Sequence, residues 1–552
     1  MKIKIAVIAA LLLCGVISCD QKIGNTSDKK NETLTSTDGK EKVLPQPITL
    51  QQQTETEELS MAEIKADIEV KKGVPDEGKF NTEDYDNIVE NKFLASTQNP
   101  LSTFSIDVDE AAYSNVRRYL QNGSTPPSGA VRIEEMINYF DYSYPKPKNG
   151  DPFTVSTEIS ECPWNPQHKL VHIGLQGKEI PVDNLPPSNM VFLIDVSGSM
   201  DEPNKLPLVQ ASMNMLVDQL REKDKIAIVV YAGNAGLVLP SMSGINKIKI
   251  KEAIDNLEAG GSTAGGEGIL LAYKTARDNF IQDGNNRIIL ATDGDFNIGI
   301  SSDDELVRLI EKERKSGVFL SVLGYGMGNY KDNKMQQLAD KGNGNHSYID
   351  NINEARKVLV NEFGSTLFTI AKDVKIQIEF NPAKVQAYRL IGYENRVLAA
   401  KDFNDDTKDA GELGSGHTVT ALYEIIPVGV KDEFIKSVDL LKYQSNDRKI
   451  VNNSGEIMTI KLRYKKPDEE ISKLITHTVI DEHIAISNTS DNFRFSAAVA
   501  EFGMLLRNSE YKQQGSYNQV INLAKSAKGT DEEGYRAEFI RLVQAATSYA
   551  KK

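Results

Sequence analysis

The sequence predicts an α/β protein: a doubly wound, mostly parallel sheet, flanked by a small α+β N-terminal module and a C-terminal region that is β-rich and then helical. Near-continuous apolar runs at 189–195, 225–231 and 287–292 are typical of parallel strands covered on both faces. Segments with apolar residues three and four positions apart alternate with these runs, as in doubly wound folds. After residue 371, apolar and polar residues alternate, which is typical of antiparallel strands.

The same patterns place the individual elements. In the N-terminal module we expect a strand at 102–108, helices at 110–120 and 133–140, and strands at 153–159 and 169–175. In the central part a further strand is expected at 318–323, and helices at 205–221, 245–257, 267–280, 303–315, 335–341 and 354–367. The C-terminal part has predicted strands at 374–380, 418–425 and 457–464, and then apolar helical stripes at 495–506 and 535–549.

The expected organisation begins with a signal peptide at 1–18. Lys2 and Lys4 precede an apolar segment at 5–18, whose fourteen residues would span only about 21 Å as a helix. That length is short of the ~30 Å hydrocarbon core of a bilayer, so the segment is predicted to be a signal peptide and not a transmembrane helix. The predicted parts that follow are a disordered tether at 19–91, the N-terminal module at 92–182, the α/β domain at 185–371 and the C-terminal domain at 372–552.

The signal segment ends in Val16-Ile17-Ser18-Cys19, which resembles the bacterial lipobox. The resemblance implies cleavage before Cys19 and attachment of lipid to its thiol, although Ile17 is bulkier than the usual residue at its place. Several acyl chains on one cysteine anchor a protein firmly to a membrane. We therefore expect a lipoprotein of the cell envelope, on the periplasmic face or at the cell surface. The alternative is an ordinary secretory signal followed by an unrelated cysteine.

The charge of the chain limits the kinds of binding partner that we expect, and its cysteine content limits the disulfides that it can form. The chain has 64 basic and 78 acidic residues, and a formal net charge of −14. This balance argues against nucleic-acid binding and against electrostatic docking on anionic lipid. Once Cys14 is removed with the signal peptide and Cys19 is acylated, Cys162 remains alone, so no intramolecular disulfide is expected.

Three short motifs follow predicted strands or helices of the central domain. They are Asp195-Val196-Ser197-Gly198-Ser199, Gly260-Gly261-Ser262-Thr263 and Thr292-Asp293-Gly294. Ligands of doubly wound sheets bind beside the carboxyl ends of the strands. Hydroxyl and carboxylate oxygens are the ligands of small hard cations such as Mg²⁺. Such an ion could be coordinated by three neutral hydroxyls and two carboxylates, either directly or through water. These ligands would leave the ion electrophilic, so that it could bind a further carboxylate.

The order of these motifs resembles the von Willebrand factor A domain and its metal-ion-dependent adhesion site. The family pattern is DxSxS, then a loop threonine, then a loop aspartate, and all five positions match: Asp195, Ser197, Ser199, Thr263 and Asp293. The resemblance covers residues 185–371. It implies a bound Mg²⁺, or Mn²⁺ or Ca²⁺, and a protein partner that offers an acidic residue to the metal. The alternative is an A-type fold whose site no longer binds metal.

The layout of the whole chain resembles a bacterial subfamily of von Willebrand factor A lipoproteins. These have an extra N-terminal segment, here STFSIDVDEAAYSNVRRYL, and a C-terminal domain of unknown function, here YRLIGYENRVLAAKDF. An acidic pair in the first segment, Asp107 and Asp109, is interpreted as a helix N-cap with a solvated acid and not as a metal site.

The sequence favours binding over catalysis. Its six histidines are scattered, and neither HExxH, GxSxG nor a phosphate-binding loop with its lysine is present. We expect an envelope-anchored binding, adhesion or scaffold protein that is not an enzyme. One alternative is a structural assembly factor that binds by surface shape without metal. The other is a hydrolase whose metal activates water.

Overall fold

The computed structural model describes residues 82–148, 150–261, 265–294, 303–362, 368–408, 410–435, 454–482 and 484–549. The predicted signal peptide, Cys19 and most of the predicted tether lie outside these residues, as does Thr263. None of the helices in the described residues is both long enough and apolar enough to cross a membrane.

The strands, in chain order, are β1 (Leu94–Ala95), β2 (Leu101–Ser105), β3 (Phe153–Cys162), β4 (Asn165–Gly177), β5 (Ser188–Asp195), β6 (Lys225–Tyr231), β7 (Ala235–Ser243), β8 (Asn285–Thr292), β9 (Val318–Tyr325), β10 (His346–Ile349), β11 (Thr369–Phe380), β12 (Val385–Ile391), β13 (Gly411–Gly414), β14 (Thr418–Pro427), β15 (Glu456–Lys465) and β16 (Lys473–Ile480).

The helices are α1 (Ala111–Gln121), α2 (Ile133–Asn138), α3 (Leu206–Gln219), α4 (Lys247–Asp255), α5 (Gly265–Asp278), α6 (Asp303–Arg314), α7 (Asp332–Lys341), α8 (Ile352–Arg356), α9 (Asp491–Arg507), α10 (Tyr517–Ser526) and α11 (Tyr535–Tyr549). A π-helical turn at Lys357–Asn361 continues α8.

The parallel sheet confirms the predicted α/β class. Its strands lie in the order β10-β9-β8-β5-β6-β7 in the described part of the chain. All neighbours run parallel except β6 and β7. Every residue of β5 is buried, and separate apolar cores cover the two faces of the sheet, as its continuous apolar run predicts. From β5 the chain continues into β6 on one side and later returns to β8 on the other, so the topological switch point lies at β5.

Two antiparallel sheets form a sandwich beside this domain. One has the order β1-β12-β14-β4-β3, and the other has the order β13-β11-β15-β16, with β2 also paired to β11. A single apolar core draws its residues from both sheets, including the fully buried Phe104, Val171, Ile376 and Tyr423. The segments at 92–182 and 372–552, which the sequence analysis treats as separate parts, therefore share both sheets.

The C-terminal helices confirm the predicted change from strands to helices. Ser490 caps α9 by accepting a hydrogen bond from the Phe493 amide, and Asn508 ends it in the left-handed conformation at φ 54°. These helices share an aromatic core with α1 and α2, in which Phe140 meets Phe495 edge to face with ring centroids 4.9 Å apart. Cys162 is a buried free thiol within this core.

The predicted tether extends too far along the chain. Residues 82–91 are not an isolated linker, because Glu83 forms an ion pair with Arg118 of α1 at 2.7 Å. The Glu83 side chain is 3% exposed and also accepts hydrogen bonds from Tyr119 and from the Gly328 amide. A charged pair that is removed from water needs such partners. The composition of this short stretch does not reveal them.

The interpretation of Asp107 and Asp109 as a cap and a solvated acid is wrong. The N-cap residue of α1 is Glu110, and its side chain makes no capping bond. Asp109 is 2% exposed and accepts a hydrogen bond from the backbone amide of His346. Both aspartates form ion pairs with Arg396, at 2.7 and 3.2 Å. Their role is to join the segment after β2 to distant parts of the chain.

Candidate metal centre

Asp195 ends β5 and is fully buried. One carboxylate oxygen accepts a hydrogen bond from the Ser197 amide at 2.9 Å. The other accepts from the hydroxyls of Tyr231 and Thr292, each at 3.1 Å, which end the neighbouring strands β6 and β8. Burial raises the pKa of Asp195 to about 6, although the hydrogen bonds oppose this rise. The carboxylate is thus fixed in position by three strands.

The two serines lie on a tight turn directly after β5. The hydroxyls of Ser197 and Ser199 are 3.1 Å apart and share a hydrogen bond. Ser197 is 2% exposed, whereas Ser199 is exposed to solvent. The turn is held by the Gly198 amide, which donates to the carbonyl of Gly261 at 3.1 Å. Gly261 has a positive φ of 81°, which favours glycine in the second motif.

Asp293 follows β8 and is also fully buried. Its Oδ2 accepts hydrogen bonds from Lys205 Nζ at 2.9 Å and from Asn329 Nδ2 at 3.0 Å. Burial alone would raise the pKa of this carboxyl, but the hydrogen bonds from Asn329, Lys205 and Ser199 and the charge of Lys205 lower it. Asp293 is therefore an ionised carboxylate that is linked to the serine turn through Ser199.

The structure brings four of the five predicted side chains into one hydrogen-bonded set: Asp195, Ser197, Ser199 and Asp293. The fifth, Thr263, lies outside the described residues. The sequence analysis did not identify Lys205 or Asn329. Lys205 precedes α3, and Asn329 lies in the loop after β9, so neither belongs to a recognisable local motif.

The chemistry of these groups limits the ion that fits. No group of three or more His, Cys, Asp or Glu side chains suited to a metal occurs in the part of the chain that the structure describes. An ion at this edge of the sheet would therefore depend on serine hydroxyls and water as well as on Asp195 and Asp293. An all-oxygen set of this kind fits Mg²⁺ or Mn²⁺ better than softer metals.

Comparison with known proteins identifies the parts of the chain. Residues 189–361 match the von Willebrand factor type A domain, and residues 79–172 match the family described as von Willebrand factor. Residues 365–549 match the family described as uncharacterized protein YfbK, C-terminal. The chain is 46% identical to the uncharacterized protein YfbK of Escherichia coli (strain K12) over 471 residues, which is 84% of this chain and 80% of that protein.

Two further matches are shorter or have lower sequence identity. Human inter-alpha-trypsin inhibitor heavy chain H3 is 26% identical over 209 residues, 36% of this chain and 23% of that protein. A solved structure of a von Willebrand factor type A protein from Catenulispora acidiphila aligns with a TM-score of 0.37 and 15% identity, over 68% of this chain and 87% of that chain. The long match to the Escherichia coli protein shows that the chain belongs to the YfbK family, in which a von Willebrand factor type A domain is joined to the YfbK C-terminal domain.

Proposed function

We propose that this protein binds a protein partner through a divalent cation, Mg²⁺ or else Mn²⁺ or Ca²⁺. Asp195, Ser197, Ser199, Thr263 and Asp293 would hold the ion. The supporting observation is the hydrogen-bonded set at the carboxyl ends of β5 and β8, with Ser199 open to solvent. Neutral hydroxyls beside two carboxylates would leave the ion electrophilic, so an aspartate or glutamate of the partner can complete its coordination. The proposed role is binding and not catalysis.

Metal binding can be measured on the full-length chain without knowing the partner. Thermal unfolding in EDTA and then in excess Mg²⁺ or Mn²⁺ is expected to show a metal-dependent rise in stability. Binding to the native state alone gives about 2.7 kcal/mol at a hundredfold excess over the dissociation constant. The rise should be lost in the double variant Ser197→Ala/Ser199→Ala. It should persist in Ser487→Ala, which removes an exposed hydroxyl near α9.

The serine variants are cleaner than Asp195→Ala, because Asp195 also accepts three hydrogen bonds within the fold. If the wild-type protein shows no metal-dependent rise at millimolar concentrations, tight metal binding by the free protein is ruled out. A rise that survives in the double variant would place the ion elsewhere.

One observation favours the metal-independent scaffold as the second candidate. The Lys205 ammonium already balances the charge of Asp293, and the two side chains are 5% and 0% exposed. A site that is neutralised by an internal cation can keep its shape without a metal. Under this alternative, partner binding would survive both EDTA and the double serine variant.

We further propose that lipid on Cys19 anchors the protein to a membrane of the cell envelope. Cys19→Ala is expected to move the protein from the membrane fraction to the soluble fraction, because the remaining chain lacks the acyl groups that partition into the bilayer. Immunoblotting of fractionated cells would measure this, with Cys162→Ala as the matched cysteine control. Membrane retention of Cys19→Ala would contradict the lipid anchor.

A further inference from the structure

A cavity of about 530 Å³ lies between the parallel sheet and the β-sandwich. Arg287 near the start of β8 lines it, together with Glu412 of β13. Arg287 and Asp293 are six positions apart, which corresponds to about 20 Å along a strand. The cavity is therefore separate from the candidate metal centre. Its volume is within the range of small-molecule sites, roughly 300–1,000 Å³.

Arg287 is an unusual lining residue for such a cavity, because it is a buried cation that forms no ion pair with the described residues. The side chain is 2% exposed, and its Nη1 donates one hydrogen bond to Ser321 Oγ at 2.7 Å. Its Nε has no hydrogen-bond partner, and no carboxylate of the described residues forms an ion pair with it. Burial lowers the pKa of this guanidinium to about 10. Burying a charge without a counter-charge is costly, so a bound anion would stabilise this arrangement.

Two other cations at or near the cavity, Arg396 and Lys357, already form ion pairs. Arg396 forms ion pairs with three carboxylates, those of Asp107, Asp109 and Asp340. Lys357 is 1% exposed and forms ion pairs with Glu110 and Glu362, which line the cavity. Arg287 is therefore a buried cation of the described lining for which the structure shows no ion pair, whereas Lys408, which also lines the cavity, is exposed to solvent.

Glu412 is an acidic residue of the cavity lining on the side of the β-sandwich. It accepts a hydrogen bond from the hydroxyl of Thr369, and no cation of the described residues forms an ion pair with it. Burial raises the pKa of this carboxyl to about 7, while Thr369 and the charge of Arg287 oppose the rise. Arg287 and Glu412 thus influence each other across the cavity without forming a salt bridge. The lining therefore presents a guanidinium from β8 and a carboxyl group from β13.

We propose that this cavity binds a small zwitterion, an amino acid or a molecule with the same pair of charged groups. Its carboxylate would bind the Arg287 guanidinium, whose planar fork matches a carboxylate. Its ammonium would bind the Glu412 carboxylate. A molecule with both charges would supply each of these two side chains with a direct ion-pair partner. A polyanion such as phosphate would bring its excess negative charge against Glu412 and Glu362, which also lines the cavity.

The proposal is tested by thermal unfolding and calorimetry of the full-length chain with the common protein amino acids, each at millimolar concentration. Acetate and ethylamine serve as controls because each carries only one of the two charged groups. At least one amino acid is expected to raise the unfolding midpoint in a concentration-dependent manner, as native-state binding requires. Acetate and ethylamine are expected to leave the midpoint unchanged.

Variants test whether this shift in the unfolding midpoint results from binding in the cavity. Arg287→Met and Glu412→Gln should each abolish it, whereas Arg308→Met, on the exposed face of α6, should retain it. Glu412→Gln keeps a hydrogen-bond acceptor for the Thr369 hydroxyl. This variant therefore tests the proposal even if Arg287→Met fails to fold. The proposal is overturned if none of the amino acids shifts the midpoint, if the shift survives in Glu412→Gln, or if acetate alone reproduces it. The Ser197→Ala/Ser199→Ala variant should retain the shift, which separates this site from the proposed metal site.

Discussion

Replacing Arg117 by methionine is expected to lower the free energy of unfolding by about 3–5 kcal/mol, the usual cost of removing one partner from a buried ion pair. The Arg117 side chain is 2% exposed and forms ion pairs with Asp350, Glu354 and Glu538. Methionine fills similar volume but leaves Asp350 and Glu354, at 5% and 1% exposure, without this cation. Urea denaturation followed by circular dichroism would measure the loss.

Two further variants define the cause. Arg308→Met, at an exposed position, is expected to change stability by less than about 0.5 kcal/mol. Arg117→Lys keeps the charge but cannot reproduce the fork, in which Nε donates to Asp350 at 2.8 Å and Nη1 to the Tyr139 hydroxyl at 3.0 Å. The free energy of unfolding of Arg117→Lys should lie between those of the wild type and Arg117→Met. Equal stability of Arg117→Met and Arg308→Met would show that the network contributes nothing.

The Arg117 network also explains how the von Willebrand factor A domain is joined to the rest of the chain. Arg117 belongs to α1, its partners Asp350 and Glu354 follow β10, and Glu538 lies on the C-terminal helix α11. Three parts that are far apart in sequence therefore depend on one buried cation. We expect these parts to unfold in one transition, because opening any of them exposes the same unpaired charges.

The parallel sheet and the core of the candidate site could be predicted because their determinants are local. The apolar run at 189–195 identifies a strand covered on both faces, and the acid and serines that follow occupy one short turn. Strand β7 was not predicted, because it is half-exposed and contains Pro240, which gives no continuous apolar run. Strand β10 has only four residues, too few for a periodic pattern.

The features that were not predicted depend on distant residues. Strand β2 pairs with β11, with Ser105 opposite Lys375, and nothing in either segment specifies the other. Asp109 resembles a helix-capping acid in sequence, but its partners His346 and Arg396 come from distant parts of the chain. Local patterns indicate that a segment is a strand or a helix. They do not identify the distant residues that pack around an acidic side chain and bury it.

Lys205 is expected to weaken metal binding at the candidate site, an effect that the sequence motifs do not indicate. Removing its charge in Lys205→Met is expected to tighten Mg²⁺ or Mn²⁺ binding by on the order of tenfold, or about 1.4 kcal/mol. Lys205 Nζ lies 2.9 Å from Asp293 Oδ2 in a buried pair, so its charge would repel a divalent cation that uses the same carboxylate. Calorimetric titration of the full-length chain would measure the change in affinity.

The same variant should be less stable than the wild type when no metal is present. In EDTA, Lys205→Met leaves the Asp293 carboxylate buried without its ion-pair partner, so we expect a loss of about 3 kcal/mol in the free energy of unfolding. Added metal supplies the missing charge and should restore most of that loss. Lys249→Met, at an exposed position on α4, should behave like the wild type under both conditions. If metal neither binds Lys205→Met more tightly nor restores its stability, then Asp293 is not a ligand. The internal ion pair would then be the permanent state of the site, and partner binding would have to depend on the shape of the surface around Ser199.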